Sequence, residues 1–100
     1  MAQSIKLLVL DIDGTVTDSR HEVTDAARKL VLESQAAGIR VILATGRRYR
    51  DALPVAAALG LCGPLVTASG ALVKVPSNHE TLFRSCFEDD VLAQVLDCII

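Results

Sequence analysis

Two short runs in this sequence hold residue types that could do chemistry. The first is Asp11-Ile12-Asp13-Gly14-Thr15, directly behind the aliphatic run Leu7-Leu8-Val9-Leu10. It places two carboxylates two residues apart where a buried strand would end, and Gly14 lets the backbone turn sharply behind them. One carboxylate can act as a nucleophile and the other as general acid and base, with a divalent cation offsetting their repulsion. A plainer reading makes Asp13-Gly14 a turn and Asp11 a cap, and these five residues leave both open. The second run is Ala44-Thr45-Gly46-Arg47. A hydroxyl, backbone amides and the start of a helix form an anion site there, suited to phosphate. Its plainer reading has Thr45 capping a helix and Arg47, Arg48 and Arg50 forming a solvated face. Arg48 and Arg50 fit that reading, whereas Arg47 adjoins the candidate site.

The elements that must position these runs follow from hydrophobic pattern. Ile5–Leu10 is aliphatic without clean alternation, as in a strand covered on both faces. Thr24 can cap a helix whose apolar stripe is Ala27, Leu30, Val31, Ser34 and Ala37, with Gly38 as the stop. Ile39–Ala44 repeats the strand pattern, and a helix follows to about Leu59. Pro54 should kink that helix, or lie in its first turn if Asp51 is the cap. Leu65–Ala68 is a third strand. Strand–helix alternation predicts an α/β fold with a Rossmann-like parallel sheet and helices on both faces, binding ligands beyond the carboxyl ends of its strands. Asp11, Thr45 and Ser69 fall at those ends. Ala71–Val75 and Thr81–Cys86 flank Pro76-Ser77-Asn78 as a hairpin. Glu88, Asp89 and Asp90 then open a last helix with Val91, Val95 and Ile99 on one face.

Composition narrows the function classes. One hundred residues, 51% of them hydrophobic and 22% charged, suit one folded domain or part of one and exclude a disordered chain. A net charge of −2 supplies no overall positive field for nucleic acid or an anionic membrane. Ala52–Val73 runs 22 residues without a charge, but Pro54, Gly60, Gly63 and Pro64 break it, so no span is expected. Leu7–Leu10 is too short for a signal peptide core. Cys62, Cys86 and Cys98 are odd in number and lack metal-ligand spacing, which fits a reducing cytoplasm. Cys62 reads as a small packed residue, and His21 and His79 as surface residues.

Taken together, LLVLDIDGTVTDS, VILATGRRY and PLVTASGALV resemble, in order and spacing, the Cof-like branch of the haloacid dehalogenase-like superfamily. The resemblance covers the whole chain. It implies a cytoplasmic Mg²⁺-dependent phosphatase acting on a small phosphorylated metabolite such as a sugar phosphate, with Asp11 as the nucleophile that forms an aspartyl-phosphate. Asp13 would be the general acid and base. Asp11 and the Asp13 backbone carbonyl would bind Mg²⁺, and Thr45, Gly46 and Arg47 would hold the phosphoryl group. Ser69-Gly70-Ala71 matches the family's Asn-Gly-Ala turn with Ser in place of Asn.

By the same resemblance, residues 1–75 form the N-terminal part of a core domain and 76–100 the start of an inserted cap. The family completes its site with a Lys and a late acidic cluster beyond that cap, and Lys74 does not match that Lys. The expectation is an N-terminal part of a longer protein or an incomplete site, inactive alone. The nucleophile's strand would then be a sheet edge open to self-association. Competing readings are a phosphomutase of the same superfamily and a non-catalytic α/β phospho-acceptor or interaction module. No G-x-G-x-x-G follows any strand, which disfavours a dinucleotide enzyme.

Overall fold

A computed structural model describes residues 5–86 and 88–99. Its five strands are β1 (Leu7–Leu10), β2 (Arg40–Ala44), β3 (Leu65–Thr67), β4 (Leu72–Val75) and β5 (Glu80–Arg84). They form one sheet in that spatial order, with β1, β2 and β3 parallel and β4 and β5 antiparallel. Three helices accompany them: α1 (Asp25–Ala36), α2 (Tyr49–Leu59) and α3 (Asp89–Ile99). The α/β architecture is as expected, and the hairpin extends the parallel strands into a mixed sheet.

Local signals set the helix ends. Thr24 Oγ1 accepts a hydrogen bond from Ala27 N–H at 3.1 Å, which starts α1. Gly38, at φ 82°, ends it, and Ile39 N–H donates back to the Ser34 carbonyl at 2.9 Å. Gly60, at φ 69°, ends α2 in the same way, with Leu61 N–H on the Ala56 carbonyl. Arg48, rather than Asp51, is the capping residue of α2, and it caps through its backbone alone. Pro54 therefore lies inside the helix and not in its first turn, where its missing N–H leaves one bond unmade. The charge-free stretch Ala52–Val73 is divided among α2, a turn, β3 and the start of β4. No helix among the described residues is long and apolar enough to cross a membrane.

The core lies between the sheet and two helices. Leu10, Val41, Leu43 and Leu65 from the strands pack with Ala27 and Val31 of α1 and Ala52, Val55, Ala56 and Leu59 of α2. Both crossover helices thus share one face, because β1, β2 and β3 step across the sheet in one direction with crossovers of one hand. Helices on both faces are consequently not seen among the described residues: Leu7 and Val9, which point the other way, are half exposed. On α1 the stripe is narrower than its sequence suggests. Ala27, Val31 and Ser34 are buried, while Leu30 and Ala37 are exposed. Ala68, expected to end β3, has already turned away at φ 50°. Cys62 is exposed rather than packed, as are Cys86 and Cys98. Val91 of α3 is exposed and Val95 half-buried; the side chain of Ile99, and Ile100, lie outside the described residues.

Leu43 stands at the centre of this core, 1% exposed and in register with Leu10 on one side and Leu65 on the other. Leu43→Ala should cost about 2–5 kcal/mol. Urea unfolding of the protein checks this: the midpoint falls while the slope is unchanged.

Candidate active site

Because β1, β2 and β3 are parallel, their carboxyl ends meet at one edge of the sheet. Asp11 follows β1, Thr45 follows β2, and Ala68–Gly70 follows β3. Two backbone bonds join the latter two exits: Ala68 N–H donates to the Arg47 carbonyl at 2.8 Å, and Ser69 N–H to the Thr45 carbonyl at 3.0 Å. Ala68, Ser69 and Gly70 all have positive φ, so the chain reverses sharply enough to reach both acceptors. The Asn that the motif usually carries tolerates this conformation, and Ser69 adopts it at some strain. A side chain at Gly46 would bring a Cβ within 3.3 Å of Ser69 Oγ. The Ser69 side chain would have to give way by a few tenths of an ångström to admit it.

The acidic run is anchored by its middle residue. Ile12 is fully buried, which leaves Asp11 and Asp13 facing solvent on either side of it. Asp11 Oδ1 accepts from Ile12 N–H at 2.8 Å, so the cap reading of Asp11 holds alongside any chemical one. The turn behind closes when Thr17 donates to the Ile12 carbonyl from both N–H (3.0 Å) and Oγ1 (3.1 Å). Gly14, at φ 79°, makes that turn possible.

Thr45 does not cap α2, which begins four residues later. Its buried Oγ1 accepts from Arg47 N–H at 3.0 Å, leaving its own hydrogen free to donate. A depression of about 340 Å³ is lined by Asp11, Ala44, Thr45, Gly46, Ser69 and Gly70. A larger one of about 470 Å³ lies at the opposite end of the strands, where Arg40, Gln35 and Cys62 form no constellation that could carry chemistry.

Arg47 joins the first two motifs. Its Nε donates to Asp13 Oδ2 at 3.0 Å and its Nη2 to Asp13 Oδ1 at 2.5 Å, a bidentate pair across 34 residues of sequence. These bonds, more than the accompanying charge attraction, hold the Asp13 carboxyl below the usual carboxylate range. Arg48 instead pairs with Asp51 at the surface, and Arg50 is exposed.

Two residues read from sequence as lone surface histidines have partners. His21 Nδ1 lies 3.7 Å from Asp13 Oδ1 although its side chain is 74% exposed. His79 Nδ1 shares a hydrogen bond with Tyr49 Oη at 2.7 Å, and Lys74 Nζ sits 4.6 Å above the Tyr49 ring. Burial pushes the Tyr49 phenol up. Nothing in the sequence marks either contact, since both depend on turns that bring distant segments together. Among the described residues, no group of three or more His, Cys, Asp or Glu side chains comes together as a metal cluster.

Comparison with known proteins agrees with this geometry. The profile of the haloacid dehalogenase-like hydrolases matches residues 8–100. The chain is 32% identical over 82 residues to Phosphatase YwpJ of Bacillus subtilis, covering 78% of the chain and 29% of that relative. It is 30% identical over 93 residues to 5-amino-6-(5-phospho-D-ribitylamino)uracil phosphatase YcsE of the same organism, covering 93% and 37%. The solved structure of a haloacid dehalogenase-like hydrolase from B. subtilis superposes with a TM-score of 0.82 at 25% identity, covering 95% of this chain and 33% of that one. The chain therefore spans about a third of the length of these relatives. With its strand order, its loop closure and the matched span all in accord, the chain belongs to the haloacid dehalogenase-like hydrolase family.

Proposed function

We propose that this chain carries the nucleophile-bearing part of a phosphatase that hydrolyses a small phosphate monoester such as a sugar phosphate. The observation that carries the reading is the convergence of Asp11, Thr45 and Gly46 on one depression, with Asp13 and Arg47 paired beside it. The phosphatase names of the two Bacillus relatives support the activity, and the phosphoribityl compound in one of them supports a sugar-like alcohol. Three exposed free cysteines favour the cytoplasm.

Asp11 attacks phosphorus through the carboxylate oxygen that Ile12 N–H leaves free, and the bond to the ester oxygen breaks as the aspartyl-phosphate forms. The departing oxygen takes a proton from Asp13. Asp13 then removes a proton from water, which attacks phosphorus and releases phosphate and Asp11. The Thr45 hydroxyl and the backbone amide of Gly46 donate to the phosphoryl oxygens. Arg47 has two calls on it: clamped bidentate to Asp13, it keeps that carboxyl ionised and unable to donate. An incoming phosphate dianion competes for the same guanidinium, which frees Asp13 to bind a proton as substrate arrives.

Mg²⁺ fits the donors present, since the cation is commonly held by one or two carboxylates together with substrate phosphate oxygens. Asp11 would offer a carboxylate oxygen and Asp13 its backbone carbonyl, whereas the Asp13 carboxylate is occupied by Arg47. When bound, the cation offsets negative charge between Asp11 and the phosphoryl group. Residues 1–75 are read as core and 76–100 as the start of a cap, with β5 still bonded to β4 so that the two are continuous through the sheet. The small-molecule ester is the partner this site suits, with no call for nucleic acid or membrane.

Three outcomes test the reading. In the full reading frame that carries this sequence, Asp11→Asn should abolish phosphate release while circular dichroism is unchanged, because an amide cannot attack phosphorus. Asp13→Asn should slow it by about 10²–10⁴-fold. Undiminished release in Asp11→Asn would remove the nucleophile assignment. Second, carbon-13 titration of the Asp13 carboxyl should move its midpoint upward in Arg47→Gln, since the wild-type guanidinium is what lowers it. An unmoved midpoint means the pair does not persist in solution. Third, among the described residues β1 bonds to β2 on one side only and half exposes Leu7 and Val9, so residues 1–100 expressed alone should be inactive and either insoluble or oligomeric through that edge. Light scattering that reports a monomer, or appreciable turnover by that piece, contradicts this.

A further inference from the structure

The turn that follows the acidic run holds an imidazole in a costly conformation. Thr17 pairs with Val23 at its base. Above them Asp18 N–H donates to the Glu22 carbonyl at 2.9 Å, and His21 N–H to the Asp18 carbonyl at 3.0 Å. Asp18 Oδ1 accepts from Arg20 N–H at 2.9 Å and from Glu22 N–H at 3.1 Å. These bonds fix the loop with His21 at φ 62°, a left-handed geometry that glycine and asparagine adopt at less cost. The strain is spent on a ring that stays 74% exposed and stops 3.7 Å from Asp13 Oδ1, beyond hydrogen-bond length. Contact with Asp13 alone therefore does not account for it, and an outlier of this kind is a reason to look for function.

The place the ring occupies suggests one. The phosphoryl depression is lined by Asp11, Thr45, Gly46 and Ser69, and its walls do not include Asp13. In-line displacement sends the leaving oxygen away from Asp11 and towards the acid that protonates it. The next atoms of the leaving group would then come close to Asp13, and among the described residues the side chains paired with that carboxylate are Arg47 and His21. Arg47 already spends Nε and Nη2 on Asp13. His21 keeps its hydrogen-bonding capacity.

We infer that His21 is a specificity-determining residue for the leaving group: its imidazole hydrogen-bonds a hydroxyl on the carbon next to the ester-bearing carbon, selecting phosphates of polyols and sugars over those of simple alcohols. The inference rests on the phosphatase reading above. 2-Hydroxypropyl phosphate and propyl phosphate are the probes, because they differ in that hydroxyl alone and share the reacting group. In the full reading frame, His21→Asn and His21→Gly should lower the ratio of kcat/KM for 2-hydroxypropyl phosphate to that for propyl phosphate by about five- to tenfold, the worth of one neutral hydrogen bond. The same variants should raise the midpoint of thermal unfolding, since the left-handed strain is relieved. A merely structural histidine would shift that midpoint and leave the ratio alone. A ratio unchanged within about twofold, or a wild-type enzyme that does not favour 2-hydroxypropyl phosphate, overturns the inference. A wild-type enzyme that releases phosphate from neither ester would instead overturn the phosphatase reading, so the two failures are distinguishable.

Discussion

Everything at the candidate site depends on three strands running the same way. Parallel pairing of β1, β2 and β3 forces each crossover through a helix and delivers three chain exits to one edge. Those exits carry the acids, the hydroxyl with its glycine, and the left-handed turn. With any of the three strands reversed, one of these groups would sit some four residues of strand away, at the far end of the sheet. The aliphatic core beneath serves mainly to hold that direction: Leu10, Leu43 and Leu65 lie side by side in the three strands and lock their ends level.

On that platform the loops are tied to one another by polar bonds rather than by packing. Two backbone bonds bind the β3 exit to the β2 exit, and the Arg47–Asp13 fork binds the β2 exit to the β1 exit. The last of these is half exposed, with Asp13 50% and Arg47 24% accessible, so its worth is set by geometry more than by burial. Such a tie is firm enough to orient a carboxylate and weak enough to be exchanged for a phosphate. The difference in character between a dry core and a wet set of loop contacts is what a site needs if its groups must hold position and still trade partners.

The opposite face of the sheet tells a different story. Both crossover helices cover one face, and the apolar side chains of β1 that point away from them are half exposed. β5 and α3 likewise present Leu82, Phe83, Val91, Leu92 and Leu96 to solvent. Apolar side chains are therefore left uncovered on this face, on β5 and on α3 among the described residues.

The sequence by itself determined the elements, their order and the residues at the strand ends, because each rests on a local rule. Period and β-branching make strands, Thr24 and Gly38 bound a helix, and Asp-x-Asp-Gly and Thr-Gly sit where strands stop. Even the corrections are local in cause: Pro54 fell inside α2 because Arg48 begins that helix through its backbone, with no side-chain signal to read. What only the tertiary structure decided was which distant groups meet. Arg47 reaches Asp13, His21 turns back towards the same carboxylate, Tyr49 finds His79, and both crossover helices fall on one face. None of these has a period or a motif, since each depends on the handedness of a crossover or the left-handed φ of a single turn residue, and those are settled only when the chain closes on itself.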